Sequence, residues 1–337
     1  MTDPLVVLQS LTRVGPETNP YLRQLIAALG DLGDVRVDLF SYRQALLGRY
    51  DVFHVHWPEQ LVGGHRTVGR IARRLLTAAV VARLRLFRTP VVRTVHNVHR
   101  PDGLGRLDHA LLTALDRSTT VWVRLNERTD VAGPAVTIPH GHYRDWFTGH
   151  DRAAAVPGRI SYVGLIRRYK GVERLIEQFR RTRRAGLTLA VSGKPSSEQL
   201  RVEVQSLSDA DSRITTALAY LDDAALVRAV TEAELVVLPY QHMHNSGMAL
   251  AALSLDRPVL VPDNPVNRDL RAEVGDGWVL TYRDDLTAGD LDAAMATIAS
   301  HPGQGQPDLS ARDWPAAACR HRDAYRRAIL SRRGQDT

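Results

Sequence analysis

Cysteine is nearly missing: Cys319 is the only one in 337 residues. A single thiol excludes an intrachain disulfide framework and suits a reducing compartment, so a cytoplasmic location is expected. Long apolar runs are missing as well. No stretch reaches the roughly 18 residues that a membrane-spanning helix needs, and no basic segment leads an apolar core as in a signal peptide. Lysine is almost absent: of 44 basic residues only Lys170 and Lys194 are lysines. A GC-rich coding bias that replaces Lys by Arg wherever any cation serves accounts for this, and it draws attention to the two that remain. Zinc-finger, helix-turn-helix and aromatic RNA-binding signatures are lacking. The net charge of +7 therefore points to phosphorylated ligands or an anionic membrane rather than to nucleic acid.

What is present is a globular balance, 44% hydrophobic and 24% charged, over a length that suits two domains. Short apolar runs alternate with helical patterns. Leu5–Leu8, Val35–Phe40, Val52–Trp57, Pro90–His96, Thr119–Val123 and Ala135–Ile138 read as strands, with helices near residues 20–29, 67–86 and 107–115. Residues 148–158 lack an apolar period and read as a linker. The pattern then restarts, with strands at Ile160–Val163, Leu187–Val191, Ile214–Leu218, Leu235–Leu238, Val259–Val261 and Gly277–Leu280. Such alternation predicts parallel sheets. The expected fold is α/β: two Rossmann-like, doubly wound domains, residues 1–150 and 151–308, facing a cleft. A C-terminal helix within 309–337 is expected to return to the first domain, carrying Trp314. Ligands of such sheets bind beyond the carboxyl ends of the strands.

The stretch from Leu235 to Val261 carries the clearest local signal. An apolar strand stops at Pro239, a polar loop Gln241–Ser246 follows, and an alanine-rich helix begins at Gly247. Asn245, Ser246, Gly247 and Met248 thus stand at a helix mouth, where free N–H groups and the helix dipole can hold a diphosphate without a side-chain charge. An ordinary crossover whose Ser and Gly form only a cap reads the same way.

Three further segments give this unit a context. Tyr162-Val-Gly-Leu-Ile-Arg-Arg-Tyr-Lys-Gly-Val172 resembles the strand–loop–helix entry of the donor domain in GT-B glycosyltransferases, especially family-4-like members. Asp51-Val-Phe-His-Val-His56 and Thr94-Val-His-Asn97 resemble two strand ends of the first domain of that group. Ile138-Pro-His-Gly141, which contains His140, resembles the segment before the domain crossover. The resemblance covers roughly residues 5–330 and implies an enzyme, a hexosyl-type glycosyltransferase of polysaccharide biosynthesis. It would take sugar from a nucleotide-sugar to a sugar or lipid-linked acceptor, with no cofactor and no metal. Lys170 and Arg167 would then face the leaving diphosphate as point charge and fork, and His96 would contact the donor sugar. Lys194, in Ser192-Gly-Lys-Pro195, is a further cation near the cleft.

The chain also departs from that family. Two glutamates usual in the donor unit are replaced by Met243 and Ala251, and the arginine usual after the strand glycine is Leu165, with Arg167 as stand-in. These changes fit a divergent, exopolysaccharide-type branch and leave the donor sugar and base, the acceptor and the stereochemistry open. They also keep two other readings alive, a nucleotide-sugar epimerase of the same fold and a non-catalytic sugar-nucleotide binding subunit.

Other candidates come from the residues themselves. Gly15 lets backbone approach a diphosphate, and the neighbouring Glu17 is a candidate base for an inverting transfer. His54 and His56 alternate with apolar residues and form, with Glu59, a candidate acid–base cluster. Asp209-Ala-Asp211 formally matches the metal-binding pair of GT-A transferases but is expected to be a solvent-exposed turn. Residues 66–88 mix seven arginines with an apolar stripe, the composition of a helix that packs on a sheet or lies on an anionic membrane surface.

Overall fold

The computed structural model describes residues 3–15, 18–63, 67–241, 243–300, 305–332 and 334. The chain divides into two compact units, Met1–Gly141 with Ala311–Thr337, and His142–Ser310. The division falls at residue 141 rather than 150, and the stretch expected to link the domains lies inside the second unit.

The first unit is built on a six-stranded, all-parallel sheet of β1 (Leu5–Gln9), β2 (Val35–Leu39), β3 (Val52–Val55), β4 (Val91–Val95), β5 (Val121–Arg124) and β6 (Ala135–Thr137). The order is β2-β1-β3-β4-β5-β6. The chain runs outward from β1 to β2 and then returns to the other side of β1 at β3, which makes the β1/β3 edge the switch point where such sheets open a crevice. Both faces are covered, as a parallel sheet requires. Val7 packs with Leu25 and Leu29 of α1 (Pro20–Asp31), while the adjacent Leu8 packs with Val80, Val81 and Leu84 on the opposite face. Asn19 starts α1 by accepting the Tyr21 N–H at 2.9 Å, with Pro20 at the first helical position. Short helices α2 (Tyr42–Leu47) and α3 (Glu59–Val62), the long α4 (Thr67–Leu86) and α5 (Arg106–Asp116) follow. The C-terminal helix Trp314–Arg332 packs on α1 and on β3, β4 and β5 of this unit. Trp314 lies where a side chain on Gly141 would have to go, which accounts for a glycine after His140.

The second unit repeats the plan with β7 (Arg159–Val163), β8 (Thr188–Ser192), β9 (Ile214–Ala217), β10 (Leu235–Val237), β11 (Val259–Pro262) and β12 (Val279–Tyr282). The order is β12-β11-β10-β7-β8-β9, all parallel. Its switch point is the β7/β10 edge. The helices are α6 (Arg144–Phe147), α7 (Val172–Phe179), α8 (Glu198–Asp209), α9 (Asp223–Thr231), α10 (Gly247–Ser254), α11 (Pro265–Val274) and α12 (Ala288–Ser300). Side-chain caps start most of them: Ser197 for α8, Asp222 for α9, Ser246 for α10 and Asn264 for α11. The sequence reading overlooked α2, α3, α6 and α11. Three of these have six residues or fewer, too short for a helical period to show; α11 carried a readable Asn-Pro start.

Candidate functional site

The loops after β7 and β10 meet at the switch point of the second unit. Gly171 has φ +65°, and any Cβ there would run into the carbonyl oxygen of Pro239, so only glycine lets the loops touch. The Gln241 N–H donates to the Tyr169 carbonyl at 3.1 Å. Lys170 Nζ lies 5.0 Å from the centre of the Tyr240 ring, a cation–π contact. The Tyr240 phenol in turn faces the Ser246 side chain, and Ser246 Oγ accepts the Ala249 N–H at 3.2 Å as the cap of α10. A lysine on one loop is thereby linked through one tyrosine to the mouth of a helix on the other. Burial, helped by the neighbouring Arg167, lowers the Lys170 pKa to about 8.

This arrangement brings together Arg167, Lys170, Ser246, Gly247 and Met248. Arg167 is exposed, and its guanidinium makes no hydrogen bond or ion pair among the described residues, whereas the adjacent Arg168 is held by Glu173 and Glu203. Gly247 opens α10, and a Cβ there would lie 3.2 Å from the Tyr143 hydroxyl. Met248 packs against Gly164, and Asn245 is half-buried beside them. All six residues Ala249–Ser254 are buried, so α10 is a core helix, and its start at Ser246, Gly247 and Met248 is half-buried. Lys194 is exposed, in a loop pinned by the Ile166 N–H to the Lys194 carbonyl at 3.0 Å. Met243 is buried and serves the fold: its carbonyl accepts from Asn264 Nδ2 at 2.9 Å and its sulfur from Asn267 Nδ2 at 3.5 Å.

The first unit holds a second cluster. His54 and His56 are buried and do not form an acid–base pair with Glu59. His54 Nδ1 lies 2.8 Å from the Tyr325 hydroxyl and Nε2 2.9 Å from Thr94 Oγ1. His56 Nε2 lies 2.9 Å from Gln9 Oε1, and its Nδ1 3.1 Å from His96 Nε2. Glu59 is half-buried and acts instead on Arg93. His96 stacks on Trp57 with ring centres 4.1 Å apart and meets the edge of Tyr21 at 5.0 Å. Burial, reinforced by His56, His140, His321 and Arg93, keeps the His96 pKa well below the usual histidine range. His140 packs on Tyr21 at 4.7 Å, its Nδ1 2.8 Å from the Gly141 carbonyl oxygen. Burial lowers its pKa to about 4. His96, Trp57, Glu59 and Asn97 line a cavity of about 200 Å³.

Other expectations need correction. Gly15 does line a cavity of about 720 Å³ at the ends of β1 and β3. It belongs to the first unit, and its N–H donates to Thr18 Oγ1 at 3.0 Å. Glu17 lies outside the described residues, as does Arg66. Asp211 is not a free turn residue: it is half-buried and holds Arg213 at 2.7 Å, while Asp209 accepts from Gln205 at 2.6 Å. Both precede β9, at the end of the sheet away from the β7 and β10 loops. Among the described residues no group of three or more His, Cys, Asp or Glu is arranged to hold a metal ion, and no helix is long and apolar enough to cross a membrane. Gln9, Tyr325, Trp57 and Tyr240 went unnoticed in the sequence. The one visible signal was a glutamine ending the otherwise apolar strand Leu5–Gln9.

A family profile described as "Glycosyl transferases group 1" matches residues 157–300, which lie within the second unit and span the β7 and β10 loops. A GDP-mannose:glycolipid 4-beta-D-mannosyltransferase from Xanthomonas campestris pv. campestris (strain ATCC 33913) is 43% identical over 326 residues, 96% of this chain and 93% of that protein. Among solved structures, a sucrose-phosphate synthase from Thermosynechococcus elongatus superposes with a TM-score of 0.63 at 16% identity, covering 97% of this chain and 100% of that one. The Anabaena protein HepE, determined with UDP, gives 0.57 at 11% identity and covers 98% of both chains. These structures establish the GT-B fold, and a transferase so similar along nearly the whole length disfavours the epimerase and binder readings. The chain is a nucleotide-sugar-dependent glycosyltransferase and belongs to the family that the Xanthomonas mannosyltransferases represent.

Proposed function

We propose that the chain transfers mannose from GDP-mannose to a hydroxyl of a glycolipid, forming a β-linkage with inversion. The observation that carries this reading is the 43% identity over 96% of the chain to an enzyme so named. In GDP-mannose the sugar is α-linked to the diphosphate, so a β product requires attack from the opposite face. The second unit holds the leaving group: Lys170, Arg167 and the start of α10 offset the two phosphate charges, so no metal is required. The first unit handles the acceptor. His96 Nδ1 takes the hydroxyl proton, the oxygen bonds to C1, and the C1–O bond to phosphate breaks to release GDP. Met243 in place of a glutamate fits a donor site that needs no carboxylate on the sugar.

The glycolipid acceptor suggests a place for the outer side of α4. Val68, Ile71, Leu75 and Leu86 are exposed at helical spacing, followed by exposed Phe87, with Arg70, Arg73 and Arg88 exposed among them. This combination suits an anionic bilayer surface, with apolar side chains at the acyl boundary and guanidinium groups among headgroups. The assay that decides the function supplies purified protein with GDP-mannose, UDP-glucose or UDP-galactose and a lipid-linked oligosaccharide. GDP release only with GDP-mannose plus acceptor, and a β-linked product by NMR, is expected. Consumption of a UDP-sugar alone would overturn the donor assignment, and an α-linked product the inversion.

A further inference from the structure

Six buried or half-buried side chains of the first unit form one continuous hydrogen-bond chain, and one member has fixed polarity. A glutamine amide has an acceptor-only oxygen and a donor-only nitrogen. Gln9 Oε1 lies 2.9 Å from His56 Nε2, so that nitrogen carries the hydrogen and His56 Nδ1 is left as an acceptor. Its neighbour at 3.1 Å, His96 Nε2, must then be the donor. On the other side Gln9 Nε2 donates to the Tyr325 hydroxyl at 3.4 Å. The Tyr325 hydroxyl is then free to give its proton to His54 Nδ1 at 2.8 Å, leaving His54 Nε2 to donate to Thr94 Oγ1 at 2.9 Å. Every link is consistent with neutral imidazoles and with a single direction.

The geometry points to Gln9 as a positioning residue that, through His56, locks His96 in the Nε2–H tautomer and so presents Nδ1 as its acceptor atom. The catalytic meaning rests on His96 being the base for the acceptor hydroxyl, whereas the tautomer itself does not. Once Nδ1 takes the proton, the Nε2–H already points at the His56 Nδ1 lone pair, so the positive charge is shared between two rings. The groups that face His96 are His56, His140, His321, Arg93 and Tyr21. None is a carboxylate; of the three carboxylates on the same cavity, Glu59 acts on Arg93, Asp116 is paired with Arg93 and Arg100, and Asp130 is exposed. An imidazolium here thus lacks the anionic partner of a Ser-His-Asp triad, which makes the inner hydrogen bond the group that orients the base.

The test uses the full chain labelled with ¹⁵N-histidine and long-range ¹H–¹⁵N spectra, with His96→Gln and His56→Gln to assign signals. The Nε2–H tautomer is expected for both residues in the wild type; an Nδ1–H signal for His96 overturns the proposal whatever the enzyme transfers. Gln9→Glu keeps the acceptor and adds a charge, so it should retain both tautomers and move the acid limb of the kcat/KM profile upward by a pH unit or more. Gln9→Leu removes the fixed polarity; mixed tautomers at His96 and a kcat reduced at least tenfold with unchanged donor KM are expected. If Gln9→Leu does not fold, Gln9→Glu and the wild-type spectra still decide. An unmoved acid limb in Gln9→Glu, with both proteins active, would reduce Gln9 to a packing residue.

Discussion

Lys170 shows how one retained lysine is tuned by its surroundings. Its pKa falls from 10.5 to about 8 because the ammonium is buried and Arg167 is close. Between those values the unfolded chain binds the extra proton, so the cost of burying the cation, full below pH 8, is relieved as pH rises and stability in the absence of ligand increases. Donor binding runs the other way, because the diphosphate needs the charged form. GDP affinity should fall as pH rises through about 8, and calorimetric titrations at pH 7 and 9 would show it. Lys170→Met should flatten that dependence and cost roughly 2–4 kcal/mol in kcat/KM; an identical pH slope in wild type and variant would remove Lys170 from the site. Lys194 could be singled out by the same scarcity, yet its exposed position predicts a smaller effect for Lys194→Ala. Scarcity marked both lysines; only burial and the Tyr240 ring distinguish them.

Among the elements, α10 carries the donor prediction. Ser246→Ala removes the cap, so donor binding should weaken by about 1 kcal/mol. Gly247→Val should abolish binding, because its branches meet the Tyr143 hydroxyl, which would lie 3.2 Å from even a bare Cβ. Full donor affinity in a folded Gly247→Val would show that the helix mouth is not the phosphate site. The outer side of α4 carries the membrane prediction. Val68→Asp/Ile71→Asp/Leu75→Asp should abolish co-sedimentation with anionic vesicles and leave Tm nearly unchanged, since those residues are 81%, 51% and 68% exposed. Vesicle binding that persists in this variant would place the membrane contact elsewhere. The helical period of residues 67–86 announced α4 correctly. It could not say that two apolar stripes exist, one buried through Val80, Val81 and Leu84 and one facing out.

At the scale of the whole molecule, acid sensitivity should be pronounced. His56, His140 and His321 are held near 3, 4 and 4 by burial, well below the usual 6.5. The unfolded chain binds their protons first, so stability present above pH 6.5 is lost as pH falls below it. A Tm that stays flat from pH 7.5 to 5 would contradict the neutral, buried state of these rings. Turnover should survive excess EDTA, because in the proposed donor site two cations and oriented amides offset the diphosphate charge. Loss of activity on chelation, restored by magnesium or manganese, would show that a metal takes that role. Asp209→Ala/Asp211→Ala should remain active in either case, since Asp211 is engaged with Arg213.

The α/β class and the strand–loop–helix at residues 235–254 were legible in the chain because they rest on local chemistry. Short apolar runs, a proline stop, a Ser cap and a starting glycine all act within a few residues of one another. The resemblance of Tyr162–Val172 and Thr94–Asn97 to known transferases was likewise a matter of linear motif. The histidine cluster was not legible, because its members come from positions 9, 54, 56, 94, 96 and 325, and no spacing along the chain announces a contact across 316 residues. His54 and His56 read as two equivalent cleft residues because a strand alternates sides every residue. Only packing against the C-terminal helix buries both, ties one to Tyr325 and turns the other toward His96. A residue's neighbours in the chain settle which element it joins; its neighbours in space settle whether its proton is held, shared or given away.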